Sequence, residues 1–448
     1  MTIDARPTSP RPLKATASSR AQSDEDNYEQ QQQRTAENGV FKRVAASLQA
    51  QRTVQPVNDL ADNMKPSRST KRCLRLSIGD PTVDGNLKTP EIVIDAVVDV
   101  VRSGDFNGYP PCVGADNVRQ VVTDYWRRFC QTKNRKEAVH WENVIITSGV
   151  SHAIMLALTA LCNEGDNVLM CAPSFPHYKS VCDSYNIDCR FYNLDPSKHW
   201  ECDLNQAAGL VDDRTKAFII INPSNPCGSN YSRAHLNEII EFCQFRQLPL
   251  ISDEIYAEMV LHNGIFTSIA DFDTNVPRLV LGGTAKYQVC PGWRVGWSLL
   301  IDRLGVASEW MDGMSRLSQL FSGVNSLCQE AIARTLLDCP PANTEHLVAQ
   351  LEAGAKVYNR LREHDIGLTF DPPHASMFVM LKVNFSYFKD IASDMDFYEK
   401  LLDEENVQVL PGEIFGMTGF IRATVSRPPP VLNEAVDRII EFCERHKK

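Results

Sequence analysis

At 448 residues the chain is too long for one small core, and 43% hydrophobic with 23% charged residues is the balance of a folded enzyme, not of a fibrous or wholly disordered chain. A formal net charge of −10 excludes a dedicated nucleic-acid binder, which needs clustered Lys and Arg, and no apolar run approaches the roughly 20 residues that span a bilayer. The 14 cysteines are scattered with no CxxC pair, so zinc-type spacing is missing, no metal is expected, and the thiols read as reduced, buried and intracellular.

In chain order, residues 1–40 are rich in Pro, Ser, Gln and charge and have little to bury, which predicts a disordered tail. Arg6, Arg11, Lys14 and Arg20 against Asp4 give its start a mild likeness to a transit peptide, but Pro7, Pro10 and Pro12 oppose the amphipathic helix such a peptide needs. A cytoplasmic protein is expected, with a mitochondrial fraction left open by that tail. Further on, short Val- and Ile-rich runs at 143–147, 167–171, 216–221, 248–252 and 278–282 alternate with helical patterns such as 151–162 and 233–245. The alternation predicts an α/β fold with a mostly parallel central sheet and helices on both faces. A helical pattern at 343–364, strand-like runs at 377–383 and 407–410, and a final helix at 431–446 predict a smaller α+β domain.

Ligands of open α/β sheets bind at the carboxyl ends of the strands, so the polar residues there carry the argument. At 147–154, "TSGVSHAI" opens a helix with small residues, and its N–H groups and Ser151 can face an anion, or form an ordinary helix cap. At 222–228, "NPSNPCG" holds Asn225 extended ahead of a proline, which alone reads as a turn. Asp253 ends an apolar run, with Tyr256 just beyond; a carboxylate there needs a cation or N–H partner, or serves as a cap. In "GGTAKYQVCPGWRVGW" (282–297), Lys286 follows two glycines and two small residues, and Arg294 lies between glycines.

One rim thus gathers an anion site, an amide, a carboxylate, a phenol and a lysine. That set suits pyridoxal phosphate. A lysine amine bonds its aldehyde, and a carboxylate, here Asp253, keeps its ring nitrogen protonated. Asn225 and Tyr256 are candidates for its phenolic oxygen, Ser151 and Arg294 for its phosphate, and Phe175 for its ring face, with Tyr178 in reserve. Rival motifs are missing: there is no GxxxxGK[ST], no GxGxxG after a strand, no HExxH and no GxSxG.

From about residue 56 onward the chain resembles the fold-type I, class I/II pyridoxal-phosphate aminotransferases, and within them the branch that acts on tyrosine. The resemblance rests on "LSIGDPTVDGNL" (76–87), "NGYPPCVGADNVR" (107–119), "TSGVSHAI", "NPSNPCGS" (222–229), "SDEIYAEMVL" (252–261), "GGTAKYQVCPGWRVGW" and "GFIRATVSRP" (419–428). It implies that Lys286 carries the cofactor and shuttles the proton, Asp253 pairs with the ring nitrogen, and Asn225 and Tyr256 hold the phenolic oxygen. It assigns phosphate to Ser151, His152 and Arg294, joined by Tyr109 from a partner subunit, and hence implies a homodimer. Arg422 grips the substrate carboxylate as a fork, with the Gly79 loop nearby.

The resemblance also implies a large cofactor-binding domain at 91–335, a small domain at 336–448, and a segment at 41–90 serving the small domain and the substrate site. Many relatives carry serines where Gly283 and Ala285 stand, which leaves Thr284 as the only hydroxyl of that turn, a candidate cofactor contact, so phosphate binding leans on the other groups. Gln55 and Asn58 are expected to touch substrate, and Cys290 is either a pocket residue or a buried thiol. The expected reaction moves the amino group of tyrosine, or another aromatic or apolar amino acid, to a 2-oxo acid by a ping-pong route. The sequence places no extra cation for a dicarboxylate acceptor, so pyruvate and other monocarboxylic oxo acids fit. An alanine-type or broad aminotransferase, a lyase of the same fold and a non-catalytic ligand sensor stay open.

Overall fold

The computed structural model describes residues 44–63 and 66–448, so the expected tail at 1–40 lies outside the described residues. Residues 52–448 form one compact unit. Among the described residues the strands, in chain order, are β1 (Leu74–Arg75), β2 (Val144–Thr147), β3 (Asn167–Ala172), β4 (Asp188–Asp195), β5 (Glu201–Cys202), β6 (Thr215–Ile221) and β7 (Leu250–Asp253). They continue with β8 (Arg278–Gly283), β9 (Gly296–Ile301), β10 (Leu368–Thr369), β11 (Phe378–Val383), β12 (Val407–Gln408), β13 (Leu410–Pro411) and β14 (Phe420–Thr424).

Eight of these strands make the large sheet, ordered β2-β9-β8-β7-β6-β3-β4-β5. Every residue of β3, β7 and β8 is buried, because helices cover both faces and leave no solvent side for polar residues. Phe218 of β6, with no exposure, contributes about 2–3 kcal/mol by leaving water. The pairs β4–β3, β3–β6, β6–β7 and β7–β8 are parallel, as the alternation predicts. The sheet closes at one side with an antiparallel hairpin of β8 and β9, and β2 pairs antiparallel with β9. The sequence reading missed β9 and β4. In β9 the leading glycine and Trp297 mask the apolar run, and β4 is a half-exposed strand next to the sheet edge.

Register decides where the polar residues emerge. Ile221 lies opposite Asp253, and Asp253 opposite Leu281. The carboxyl ends of β6, β7 and β8 therefore end together on one rim. At the hairpin, Gly296 pairs with both Gly283 and Thr147. A Cβ on Gly296 would stand 2.7 Å from the carbonyl carbon of Gly149, so glycine alone lets the helix Gly149–Leu161 start against the sheet.

A second, four-stranded antiparallel sheet, β10-β11-β14-β13, pairs Met380 with Arg422. The helices Asp394–Glu405 and Pro429–Arg445 belong to this part of the chain. The expected helix at 343–364 is Pro341–Tyr358 followed by a tight turn of helix, Asn359–Glu363. The expected strand at 407–410 is split into β12 and β13. β1 pairs in parallel with β12, and beyond it the Leu76 N–H donates to the Gln408 carbonyl while the Leu76 carbonyl accepts from Thr424 N–H at 3.0 Å. The stretch after β1 is thereby laid along β14.

Candidate active site

A cavity of about 500 Å³ opens where the rim of the large sheet meets the residues after β1 and Arg422 of β14. Asp253, Tyr256, Asn225, Lys286, Ser151, Arg294, Phe175, Gly79, Asn58 and Arg422 all line it.

Asp253 is 4% exposed. Its Oδ1 accepts from the Ile255 N–H at 3.2 Å and its Oδ2 from the Tyr178 hydroxyl at 3.3 Å. Burial raises its pKa to about 6, opposed by those hydrogen bonds and by Lys286; a cation at the cavity side would favour the carboxylate again. Lys286 Nζ donates to the Gly79 carbonyl at 2.6 Å. Desolvation lowers its pKa to about 8; Asp80 acts against this, while Arg422 and Arg294 add to it. An amine near neutrality is a nucleophile and a base at working pH.

The opposite ends of the cavity hold different cations. Arg422 is 3% exposed, with its guanidinium 4.1 Å from the Phe378 ring centre and 4.7 Å from that of Phe415. Nη1 donates to Asn225 Oδ1 at 3.0 Å and Nη2 to the Ser77 carbonyl at 2.5 Å, while Nε is buried with no partner among the described residues. Burial draws its pKa down to about 9, and a carboxylate would meet both the charge and the unused donor. Arg294 stands at the mouth of the helix Gly149–Leu161, donating to the Ser148 carbonyl at 2.9 Å and the Pro291 carbonyl at 3.1 Å. Gly149 has φ +71°, and a Cβ there would lie 2.4 Å from Arg294 Nη2. Ser148 makes no side-chain cap, so the first N–H groups of the helix join Arg294 as an anion cradle.

Several expected residues sit elsewhere. His152 is not on the cavity wall: Nδ1 accepts the Ser148 N–H at 3.1 Å, the ring lies 4.2 Å from Phe321, and Nε2 is buried with no partner among the described residues. Burial draws its pKa down to about 4. Thr284 is not on the wall either. Its hydroxyl has no exposure and points to the Val295 carbonyl at 3.4 Å and to Cys290 Sγ at 3.4 Å, away from the cavity. Gln55 is not on the cavity wall; its Nε2 meets His177 Nδ1 at 2.7 Å, and Val57 and Asn58 do the lining. Cys290 is the buried thiol of the two readings, with its pKa pushed up to about 11 by desolvation. Tyr109 is 92% exposed and bends to no group of its own cavity.

Sequence reasoning missed the hydroxyl of Tyr178 as a partner of Asp253, although it had marked that side chain as a spare ring cover. It also missed Ile78, Val57 and Phe378 as walls; nothing local in the sequence distinguishes them from core residues.

Residues 71–439 match the family described as aminotransferase class I and II. The chain belongs to the class I and II aminotransferases. A tyrosine aminotransferase from Bos taurus is 37% identical over 405 residues, spanning 90% of this chain and 89% of that protein. The crystal structure of tyrosine aminotransferase from Leishmania infantum is 78% identical with a TM-score of 0.90, covering 91% of this chain and 100% of the other. Alanine aminotransferase from Pyrococcus furiosus is 26% identical with a TM-score of 0.81 over 90% of this chain and 100% of the other.

As a member of that family, this aminotransferase uses pyridoxal phosphate to move an amino group between amino acids and 2-oxo acids. The donor set fits the cofactor. It has an amine of lowered pKa for the aldehyde, a buried carboxylate for the ring nitrogen, and a helix mouth with an arginine for the phosphate.

Proposed function

We propose that this aminotransferase takes the amino group from tyrosine and from other aromatic or large apolar amino acids, and passes it to a monocarboxylic 2-oxo acid such as pyruvate. The observation that carries the reading is the convergence of Lys286, Asp253 and Arg422 on one cavity whose walls include Val57, Ile78, Phe175 and Phe378. Apolar walls favour an aromatic side chain, and Asn58 offers a polar partner for its far end. The lining cations among the described residues are Lys286, Arg294 and Arg422. None is left over for a second acceptor carboxylate once Arg294 serves phosphate.

Pyridoxal phosphate, when bound, supplies a ring that withdraws electrons from the substrate's α-carbon. Asp253 holds the ring nitrogen, and Asn225 and Tyr256 hold the phenolic oxygen. Ser151, the first N–H groups of its helix and Arg294 hold the phosphate, and Phe175 covers the ring. Arg422 pairs with the substrate carboxylate, which turns the α-carbon toward Lys286. Lys286 Nζ would take the proton from that α-carbon and deliver it to the carbon that came from the cofactor's aldehyde. Phe378 and Phe415 beside Arg422 exclude water there, which strengthens its charge interactions.

A homodimer in which Tyr109 serves the partner's phosphate is part of this reading, supported by its exposure. So is a small domain of 336–448 that carries Arg422. A cytoplasmic site is supported by 14 free thiols. Among the described residues no helix is long and apolar enough to cross a membrane.

The test is a half-reaction: tyrosine is added to the cofactor-loaded protein without any oxo acid, and the visible band of the lysine-bound cofactor is followed. Loss of that band with tyrosine, and slower loss with alanine or glutamate, supports the reading. A band unmoved by tyrosine but bleached by alanine keeps the aminotransferase and replaces the substrate.

A further inference from the structure

The stretch after β1 has neither helix nor strand from Leu76 to Asp80, so its carbonyls need partners from elsewhere. Each one has a partner, and the pattern is ordered. Arg75 O accepts from Arg427 Nε at 2.9 Å, Leu76 O from the Thr424 N–H at 3.0 Å, and Ser77 O from Arg422 Nη2 at 2.5 Å. Ile78 O accepts from Arg427 Nη2 at 3.1 Å, Gly79 O from Lys286 Nζ at 2.6 Å, and Asp80 O from Arg427 Nη1 at 3.1 Å.

One guanidinium therefore takes three carbonyls of this stretch. Of the three carbonyls it brackets, Leu76 O takes the Thr424 N–H, and Ser77 O and Gly79 O receive the two cations of the reaction. Arg427 is 2% exposed and has Asp84 3.5 Å from its Nε. It borders none of the cavity. A planar fork with five donors can span three carbonyls, whereas a lysine ammonium cannot reproduce that spread.

We propose that Arg427 is the positioning residue of the active site: by clamping the Arg75, Ile78 and Asp80 carbonyls, it aims the Ser77 and Gly79 carbonyls at Arg422 and Lys286. The role acts through the backbone of 75–80, without contact with substrate. It rests on the functional reading above for the parts played by Lys286 and Arg422.

The test uses full-length, cofactor-loaded protein carrying Arg427→Lys, Arg427→Gln or Arg427→Met. Three readings are taken: cofactor absorption, hydrogen exchange of peptides covering 74–82, and KM and kcat for the amino donor. The expected result is retained cofactor absorption, faster exchange confined to 74–82, and a KM raised about tenfold with a several-fold fall in kcat. A small misplacement of reacting groups has effects of this scale. Arg427→Lys keeps the charge and can reach at most part of the three-carbonyl clamp, so it is expected between the native protein and Arg427→Met.

Unchanged exchange in 74–82, or faster exchange with KM and kcat both unchanged, overturns the proposal. So does failure of all three variants to fold, which would assign Arg427 to the folded core alone. If the native protein rejects tyrosine, the functional reading fails by itself, and the same comparison is made with whichever amino acid bleaches the cofactor band.

Discussion

The two cation sites of the cavity are built by opposite means. Arg294 is exposed and sits in the β8–β9 connection of the large sheet, held by the Pro291 carbonyl three residues before it and by the Ser148 carbonyl at the helix mouth, 146 residues away. Arg422 is buried between two aromatic rings on the small sheet, and its partners, Ser77 and Asn225, lie 345 and 197 residues away in sequence. An exposed arginine backed by a helix dipole suits an anion that stays. A desolvated arginine with an unused Nε suits one that arrives and leaves with each turnover, since an uncompensated buried charge rewards any carboxylate that reaches it. Residues of the large-sheet rim should thus govern kcat and cofactor retention, and residues of the small sheet should govern KM.

The largest expected effect is at the rim. Lys286→Ala should reduce kcat by more than about a thousandfold, since it removes both the covalent anchor and the proton carrier; single-turnover assays with the folded variant check this. Asp253→Asn is expected to lower kcat by about a hundredfold or more, because an amide cannot keep the ring nitrogen protonated. Steady-state assays at saturating cofactor would refute the assignment if kcat stayed within a few-fold. On the small sheet, Arg422→Lys should raise KM for the amino donor by about ten- to a hundredfold, as a point charge replaces a two-pronged contact. A drop in kcat alone would collapse the distinction between the two sites.

A pH effect follows at about the tenfold level. With the Lys286 pKa lowered to about 8, the free amine grows about tenfold per pH unit below that value and then levels off. Incorporation of added cofactor into cofactor-free protein should accordingly accelerate between pH 7 and 8 and flatten above about 8, measured as growth of the visible band. Continued acceleration toward pH 10 would show an ordinary lysine. The smallest effect is at Thr284. Thr284→Val loses two long contacts, to the Val295 carbonyl and from Cys290 Sγ, both at 3.4 Å, so stability should fall by about 1 kcal/mol, and cofactor affinity should stay unchanged in a direct titration.

The rim was legible because each of its residues follows an apolar run by a few positions. Asp253 ends β7, and Asn225 and Lys286 come shortly after β6 and β8. A parallel sheet converts that common spacing into a common place. The side chains of His152 and Thr284 were not legible for the converse reason. Their positions in the chain are right, but which way a side chain turns depends on rivals such as the Ser148 N–H and the Val295 carbonyl. The stretch at 75–80 was illegible as a device, since its order comes from Thr424, Arg422 and Arg427, all more than three hundred residues later in sequence. It carries no periodicity of its own to betray it.

Asn225 stands between the two halves of this contrast. A guanidinium can only donate, so Arg422 takes the oxygen end of the Asn225 amide at 3.0 Å and leaves the NH₂ end to face the cavity. The amide is thus wired in one polarity, and the wiring is done by the residue proposed to recognise substrate. On the reading proposed above, a carboxylate that draws on Arg422 would change the tension on that amide, so arrival of substrate would be felt at the cofactor's oxygen before any bond is made or broken.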